Sequence, residues 1–157
     1  MVTDIHCDDN PVHLDHNSEF LHTPPEIFDL YLQADNICFD SPRGSAVLCR
    51  CCLEQFLARI GYRGSLKKKI RQMQRETNVN RSFSSYIRDA MEFVRIVGNV
   101  AAHPRYDSKS CTTAEIEQEM AELCLEIIRD VFKEYYEKPL RFEQARMTYE
   151  RELSSFL

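Results

Sequence analysis

At 157 residues, with 43% apolar and 29% charged side chains, the chain has the size and make-up of one globular domain able to bury about two-thirds of its unfolded surface. Four glycines and no tryptophan argue against a turn-rich β fold. No segment approaches the roughly 18 uninterrupted apolar residues of a membrane span, and no basic stretch followed by an apolar run opens the chain, so the expectation is a cytoplasmic, all-α protein without a membrane partner. The net charge of −5 conceals a partition: residues 1–42 carry nine acids and no Lys or Arg, residues 43–109 fourteen bases and five acids, and the remainder six bases and eleven acids. Such asymmetry predicts that the basic middle meets an anionic partner such as RNA, or that the acidic lead segment folds back onto it.

Residues 1–22 show no apolar period and read as an acidic, His-rich arm; a single helical domain is expected over 23–157. Asp4, His6, Cys7, Asp8, Asp9, His13, His16 and His22 collect four of the five histidines there. Cys7, His13, His16 and His22 are the residues a zinc site would draw on, yet their spacing is no finger pattern and no second cysteine pair exists, so no metal is assigned. Thr23-Pro24-Pro25-Glu26 has the make-up of a capping box with early prolines, and Ile27, Leu30, Tyr31, Ala34 and Cys38 continue a helical face to about residue 38. Ser41-Pro42 opens a second helix with Ala46, Cys49, Leu53, Phe56, Leu57 and Ile60 inward, closed by Gly61 and the Gly64-Ser65 turn. Ser65 caps a short basic helix through Leu66, Ile70 and Met73, and a break follows over 77–80.

The longest helix is expected from Ser82 to His103, with Phe83, Ile87, Ala90, Val94, Val97 and Ala101 on its apolar face and Pro104 forcing its end. Thr112 and Glu115 suggest another capping box, opening a helix whose stripe runs Ile116, Met120, Leu123, Ile127, Val131 and Tyr135 and which Pro139 terminates. Phe142, Ala145, Tyr149, Leu153 and Phe156 make a last amphipathic helix, to be packed on the body or on a second subunit. Seven cysteines, an odd number scattered through these helices, read as reduced thiols; Cys49 and Cys52 in particular lie i, i+3 in an apolar stripe. No cofactor motif is present.

One segment carries chemistry. Arg95, Asn99 and His103 stand at i, i+4 and i+8, within about 80° of one another around a helix, so a cation, an amide and an imidazole share one face. Metal-free RNA cleavage needs a group that moves a proton near neutral pH and a cation to stabilise charge on the phosphate, roles that His103 and Arg95 can fill, with Asn99 orienting either. A purely structural alternative accounts for the same residues. In it Gly98 admits a neighbouring helix, Asn99 satisfies a buried backbone group, His103 meets the helix C-terminal dipole, and Arg95 pairs with Glu54 or Glu92.

The order Ala46, Arg50 and Leu53-Glu54, then Leu66-Lys67-Lys68-Lys69-Ile70, then Arg95-x-x-Gly98-Asn99-x-Ala101-Ala102-His103-Pro104, and finally Tyr135-Tyr136-Glu137-Lys138-Pro139, resembles the HEPN-like helical domains of the domain-of-unknown-function 4145 type. The resemblance covers residues 40–140. It implies a bundle of about five to six helices, often a homodimer, at work in prokaryotic phage-defence, toxin–antitoxin and restriction systems. HEPN relatives that cut RNA without metal use an Arg and a His separated by four to six residues, usually with a polar residue directly after the Arg. Here Gly98 occupies the arginine's place ahead of Asn99, and Arg95 lies one turn earlier. The leading expectation is therefore a dimeric module without robust catalysis that binds RNA or an acidic protein partner through Arg50, Lys67, Lys68, Lys69, Arg71 and Arg75. The alternatives are a metal-independent endoribonuclease using Arg95, Asn99 and His103, and an adaptor whose acidic arm imitates nucleic acid.

Overall fold

A computed structural model describes residues 19–76, 83–104, 106–107, 112–113 and 115–156. Helix α1 spans Pro25–Ile37, α2 Pro42–Arg59, α3 Leu66–Gln74 and α4 Ser85–Ala102. Two-residue strands β1, Tyr106–Asp107, and β2, Thr112–Thr113, pair antiparallel with Tyr106 opposite Thr113. Helix α5, Gln118–Phe132, passes into a π-helical segment over Lys133–Glu137, and α6 runs Lys138–Ser154. The architecture is all-α, as expected, and the short ribbon adds no layer to it.

Helix α2 lies at the centre and packs on α1, α3, α4 and α5. Its buried face, Ala46, Cys49, Leu53, Phe56 and Leu57, is the one its period predicts. Ser41 accepts a hydrogen bond from the Gly44 N–H at 3.1 Å and starts the helix; Gly61 and Gly64, at φ 109° and 96°, turn the chain out of it. Ser65 likewise accepts from the Lys68 N–H at 3.4 Å, and Leu66, Ile70 and Met73 bury the inner face of α3. An aromatic cluster joins α2 to the ends of the chain: Phe56 meets Tyr135 edge-on at 5.3 Å between ring centroids, and Phe20 lies 5.4 Å from Phe28. Phe20, three residues ahead of the expected start of order, is thus part of the core.

Four expectations need correction. The capping box at Thr23 does not form: Pro24 precedes a proline and is held extended at ψ 131°, so the helix begins one residue later, with the Ile27 and Phe28 N–H groups both bonded to the Pro24 carbonyl. Thr23 instead donates to the buried Glu137 carboxylate at 3.1 Å, and Glu26 pairs with Arg59. Thr112 sits in the ribbon, and α5 starts at Gln118 without a side-chain cap. In α5 the core face is Ala121, Cys124, Ile128, Val131 and Phe132, which leaves Met120 and Leu123 on the exposed side. Pro139 terminates nothing. The preceding turn is π-helical, the Lys138 N–H bonding five residues back to Lys133, and Pro139 falls in the first turn of α6, where a missing N–H costs little.

Helices α2 and α4 cross closely at Gly98. A Cβ built on Gly98 would stand 2.4 Å from the Arg50 Cβ and 3.1 Å from the Ala46 carbonyl oxygen, against roughly 3.5–4 Å for an ordinary carbon contact. Alanine would gain about 1 kcal/mol of helix propensity, but the two helices would have to part by about an ångström to admit it. Gly98→Ala is accordingly expected to lower stability by about 1–2 kcal/mol, read as a lower urea midpoint at unchanged m-value.

Candidate functional site

The face of α4 beside this crossing carries Glu92, Arg95 and Asn99, all half-buried, and His103 at the helix C-cap. Arg95 grips Glu92 with both ends of its guanidinium, Nε to Oε2 at 2.9 Å and Nη2 to Oε1 at 2.6 Å, and these bonds raise its pKa above the ordinary arginine value. Its side chain is 16% exposed. A phosphate arriving at Arg95 must therefore displace a carboxylate that already occupies the guanidinium edge.

Asn99 is committed as well: its Oδ1 accepts from Arg50 Nε at 2.8 Å across the α2–α4 crossing. Arg50 stands 3.7 Å from Glu54, and Glu54 is 3.6 Å from Lys69 of α3, whose ammonium also donates to the Glu54 carbonyl at 3.3 Å. Three cations and two carboxylates thus form a half-buried polar seam along α2, α3 and α4, with Lys69 its most enclosed member at 9% side-chain exposure. Each group in the seam has a partner of opposite charge or a hydrogen-bond partner.

His103 leaves the helical backbone at φ −127° and ψ 71°, keeps its N–H bonded to the Asn99 carbonyl at 2.9 Å, and exposes its imidazole, which makes no hydrogen bond to a described residue. Eight residues of helix separate it from Arg95, a rise of about 12 Å. The cation that answers the helix C-terminus is Arg43, which donates to the Ala101 carbonyl at 2.8 Å and the Val100 carbonyl at 3.4 Å. Sequence reading passes over Arg43. The signal was its place in the first turn of α2, a helix that closes against the end of α4.

The cationic residues assigned to a partner divide into two groups. Arg50 and Lys69 belong to the seam. Lys67, Lys68, Arg71 and Arg75 stand exposed on α3 and its C-cap, spread over about 100° directly opposite the buried Leu66, Lys69, Ile70 and Met73. None of those four forms an ion pair with a described residue. Between Gly61 and Arg75 the chain contains no acid at all.

The cavities lie elsewhere. One of about 190 Å³ is lined by Tyr31, Asp35, Glu122, Leu125, Glu126 and Arg129. Another, about 510 Å³, lies between Glu19–His22 and the start of α6, with Lys133, Glu137, Lys138 and Arg141 in its wall. Cys38, Cys49, Cys52 and Cys124 are buried free thiols; burial raises the pKa of each, that of Cys124 to about 12, so none is a poised nucleophile. Among the described residues no three His, Cys, Asp or Glu side chains are gathered to hold a metal ion. Cys7, His13 and His16 of the arm, Cys111 and the break at 77–80 fall outside the described residues. Among the described residues no helix is long and apolar enough to cross a membrane.

A helical bundle with a sealed polar seam and an outward basic helix is the class that fold and surface define. The chain belongs to the family described as domain of unknown function DUF4145, whose model matches residues 33–151. No curated protein and no solved structure matches it.

The seam makes an energetic prediction. Removing Glu54 leaves the enclosed Lys69 ammonium without its carboxylate, whereas removing Lys69 leaves Glu54 still beside Arg50, so the first costs more. Glu54 is one-third exposed, which discounts both effects. Glu54→Ala is expected to cost about 1–2 kcal/mol and Lys69→Met less than half of that, compared by urea denaturation of the two variants.

Proposed function

We propose that this protein is a HEPN-like helical module that assembles as two copies and engages RNA through the outward face of α3, without robust catalysis of its own. The observation that carries the reading is the set Lys67, Lys68, Arg71 and Arg75: four exposed cations on one helix face, unpaired among the described residues, in a chain whose net charge is −5. An acidic protein as a whole, it concentrates positive charge on one element that packs by its other side. Cations without counter-charges attract phosphates by releasing condensed counterions, which requires no base-specific geometry. An acidic protein partner would meet the same face, but a nine-residue helix with a spread of cations suits a phosphate backbone better than a compact carboxylate cluster.

The absence of robust catalysis is argued from the seam. Arg95 is held by Glu92, Asn99 by Arg50, and Gly98 lies where the resemblance places a cutting relative's arginine. Its backbone is pressed against Arg50, so a side chain there requires the two helices to part. The HEPN-like assignment and a role in prokaryotic defence or stress systems of toxin or restriction type rest on the resemblance over residues 40–140, and a cytoplasmic setting belongs to the same reading. The endoribonuclease reading keeps one supporting feature, the exposed imidazole of His103 at the end of α4.

Two measurements test this. Fluorescence anisotropy with a single-stranded RNA should show affinity falling with salt at a slope of about −3 in log–log form if four contacts form. Replacing Lys67, Lys68, Arg71 and Arg75 together by Gln should flatten the slope to near zero and leave the melting temperature within about 1 °C, since all four are exposed; an unchanged slope removes α3 from the interface. In EDTA, the wild-type protein is expected to leave mixed RNA intact over hours. Cleavage that disappears in His103→Ala would establish the endoribonuclease instead.

A further inference from the structure

Helix α6 buries none of its residues and, among the described elements, packs only on the π-helical segment that precedes it. Such a helix is marginal in water by itself, and its internal ion pairs, Arg146 with Glu143 at 2.8 Å and with Glu150 at 3.2 Å, add little. Yet it carries an ordered apolar stripe. Phe142 and Tyr149 lie seven residues apart and are 65% and 62% exposed, with Ala145 and Leu153 beside them, and Phe156, 86% exposed, follows just past the helix end. At about 100° per residue, Phe142, Tyr149 and Leu153 fall within about 40° of one another. A seven-residue repeat is the period of two helices packed at a shallow angle along their length.

We propose that α6 is the surface through which two copies of this chain pair, stripe against stripe and antiparallel; the proposal rests on the two-copy assembly above and names its interface. Charge sets the direction. On one flank of the stripe, Arg146 is already satisfied by Glu143 and Glu150. The other flank carries Lys138 and Arg141 near the start of α6 and Glu152 near its end, and none of these forms an ion pair with a described residue. Antiparallel pairing sets the same flank of both copies together and brings Glu152 of each toward Lys138 and Arg141 of the other, twice by symmetry; parallel pairing would set that flank against the partner's other one, whose Glu143 and Glu150 already pair with Arg146. The side chains of the stripe offer roughly 500 Å² per copy, or about 1,000 Å² in the pair, which reaches the lower bound for a specific interface. A membrane surface suits the helix less well, because an interfacial helix needs a cationic polar face and α6 interleaves Glu143, Glu150 and Glu152 with its four basic residues.

The test is sedimentation of the full chain without RNA. The wild type should be dimeric at about 50 µM, and Phe142→Glu with Tyr149→Glu should be monomeric while the core keeps its melting transition. Lys138→Glu with Arg141→Glu should weaken the dimer roughly tenfold, and adding Glu152→Lys to those two should restore it. A monomeric wild type at 100 µM, or a dimer that survives the Phe142 and Tyr149 changes, overturns the proposal; failure of Glu152→Lys to restore pairing overturns the antiparallel arrangement. The Gln variants of α3 should remain dimeric, so loss of RNA binding and loss of pairing are read on separate residues.

Discussion

The contact of Gly98 with Ala46 and Arg50 governs the rest of the molecule. Helices α2 and α4 meet with so little space that a single carbon atom on Gly98 would lie inside the Arg50 side chain. Close approach brings the flank of α4 within reach of α2, so Arg50 bonds Asn99 and Arg43 reaches the Val100 and Ala101 carbonyls. A wider crossing would leave those carbonyls and the Asn99 amide to solvent. It follows that position 98 cannot carry the arginine the resemblance associates with RNA cleavage unless the two central helices are repacked. The packing of the fold and the case against catalysis are one constraint seen from two sides.

From that crossing the charge of the middle block is sorted. Its most enclosed cations are drawn into ion pairs, Lys69 and Arg50 with Glu54 and Arg95 with Glu92, because an unpaired charge at that depth is costly. Cations that need no such partner are those of α3 that point away from the core. Position on one short helix, rather than charge as such, separates structural cations from those available to a ligand. Lys67, Lys68 and Lys69 are adjacent in sequence and chemically identical, yet Lys69 turns inward, about 200° around the helix from Lys67.

This sorting also marks how far the sequence could be read. Helices α1 to α4, the Ser41 and Ser65 caps and the stop at Gly61 were legible because each depends on a few neighbouring residues: an oxygen three positions ahead of an N–H, or a glycine free to take positive φ. Where two local rules competed, the reading failed. Thr23 and Glu26 have the right spacing for a capping box, but the geometry before a proline moves the helix start, and both side chains find distant partners in Glu137 and Arg59. The Arg95, Asn99 and His103 face was visible from spacing alone, and so was Glu92, one turn back on the same helix, as a partner of Arg95; the partner of Asn99 depends on which helix lies opposite. Pattern counts could not reveal that Arg50 would be that neighbour.

The π-helical segment shows how one local irregularity ties the ends of the chain together. A π turn adds a residue to the helical repeat and swings Glu137 inward, where it is 5% exposed and accepts from the His22 N–H at 3.0 Å and the Thr23 hydroxyl at 3.1 Å. Those bonds hold the segment that places Phe20 against Phe28, Tyr31 and Phe132, while Glu19 reaches Arg129 and Lys133. The same turn releases the chain from the core, since every α6 residue beyond it is exposed or half-buried. An uninterrupted α-helix through Pro139 would set its ring against the carbonyl one turn earlier; the wider turn avoids that clash and redirects the helix. The geometry that anchors the N-terminal segment is therefore also what presents the stripe of α6 to whatever packs on it.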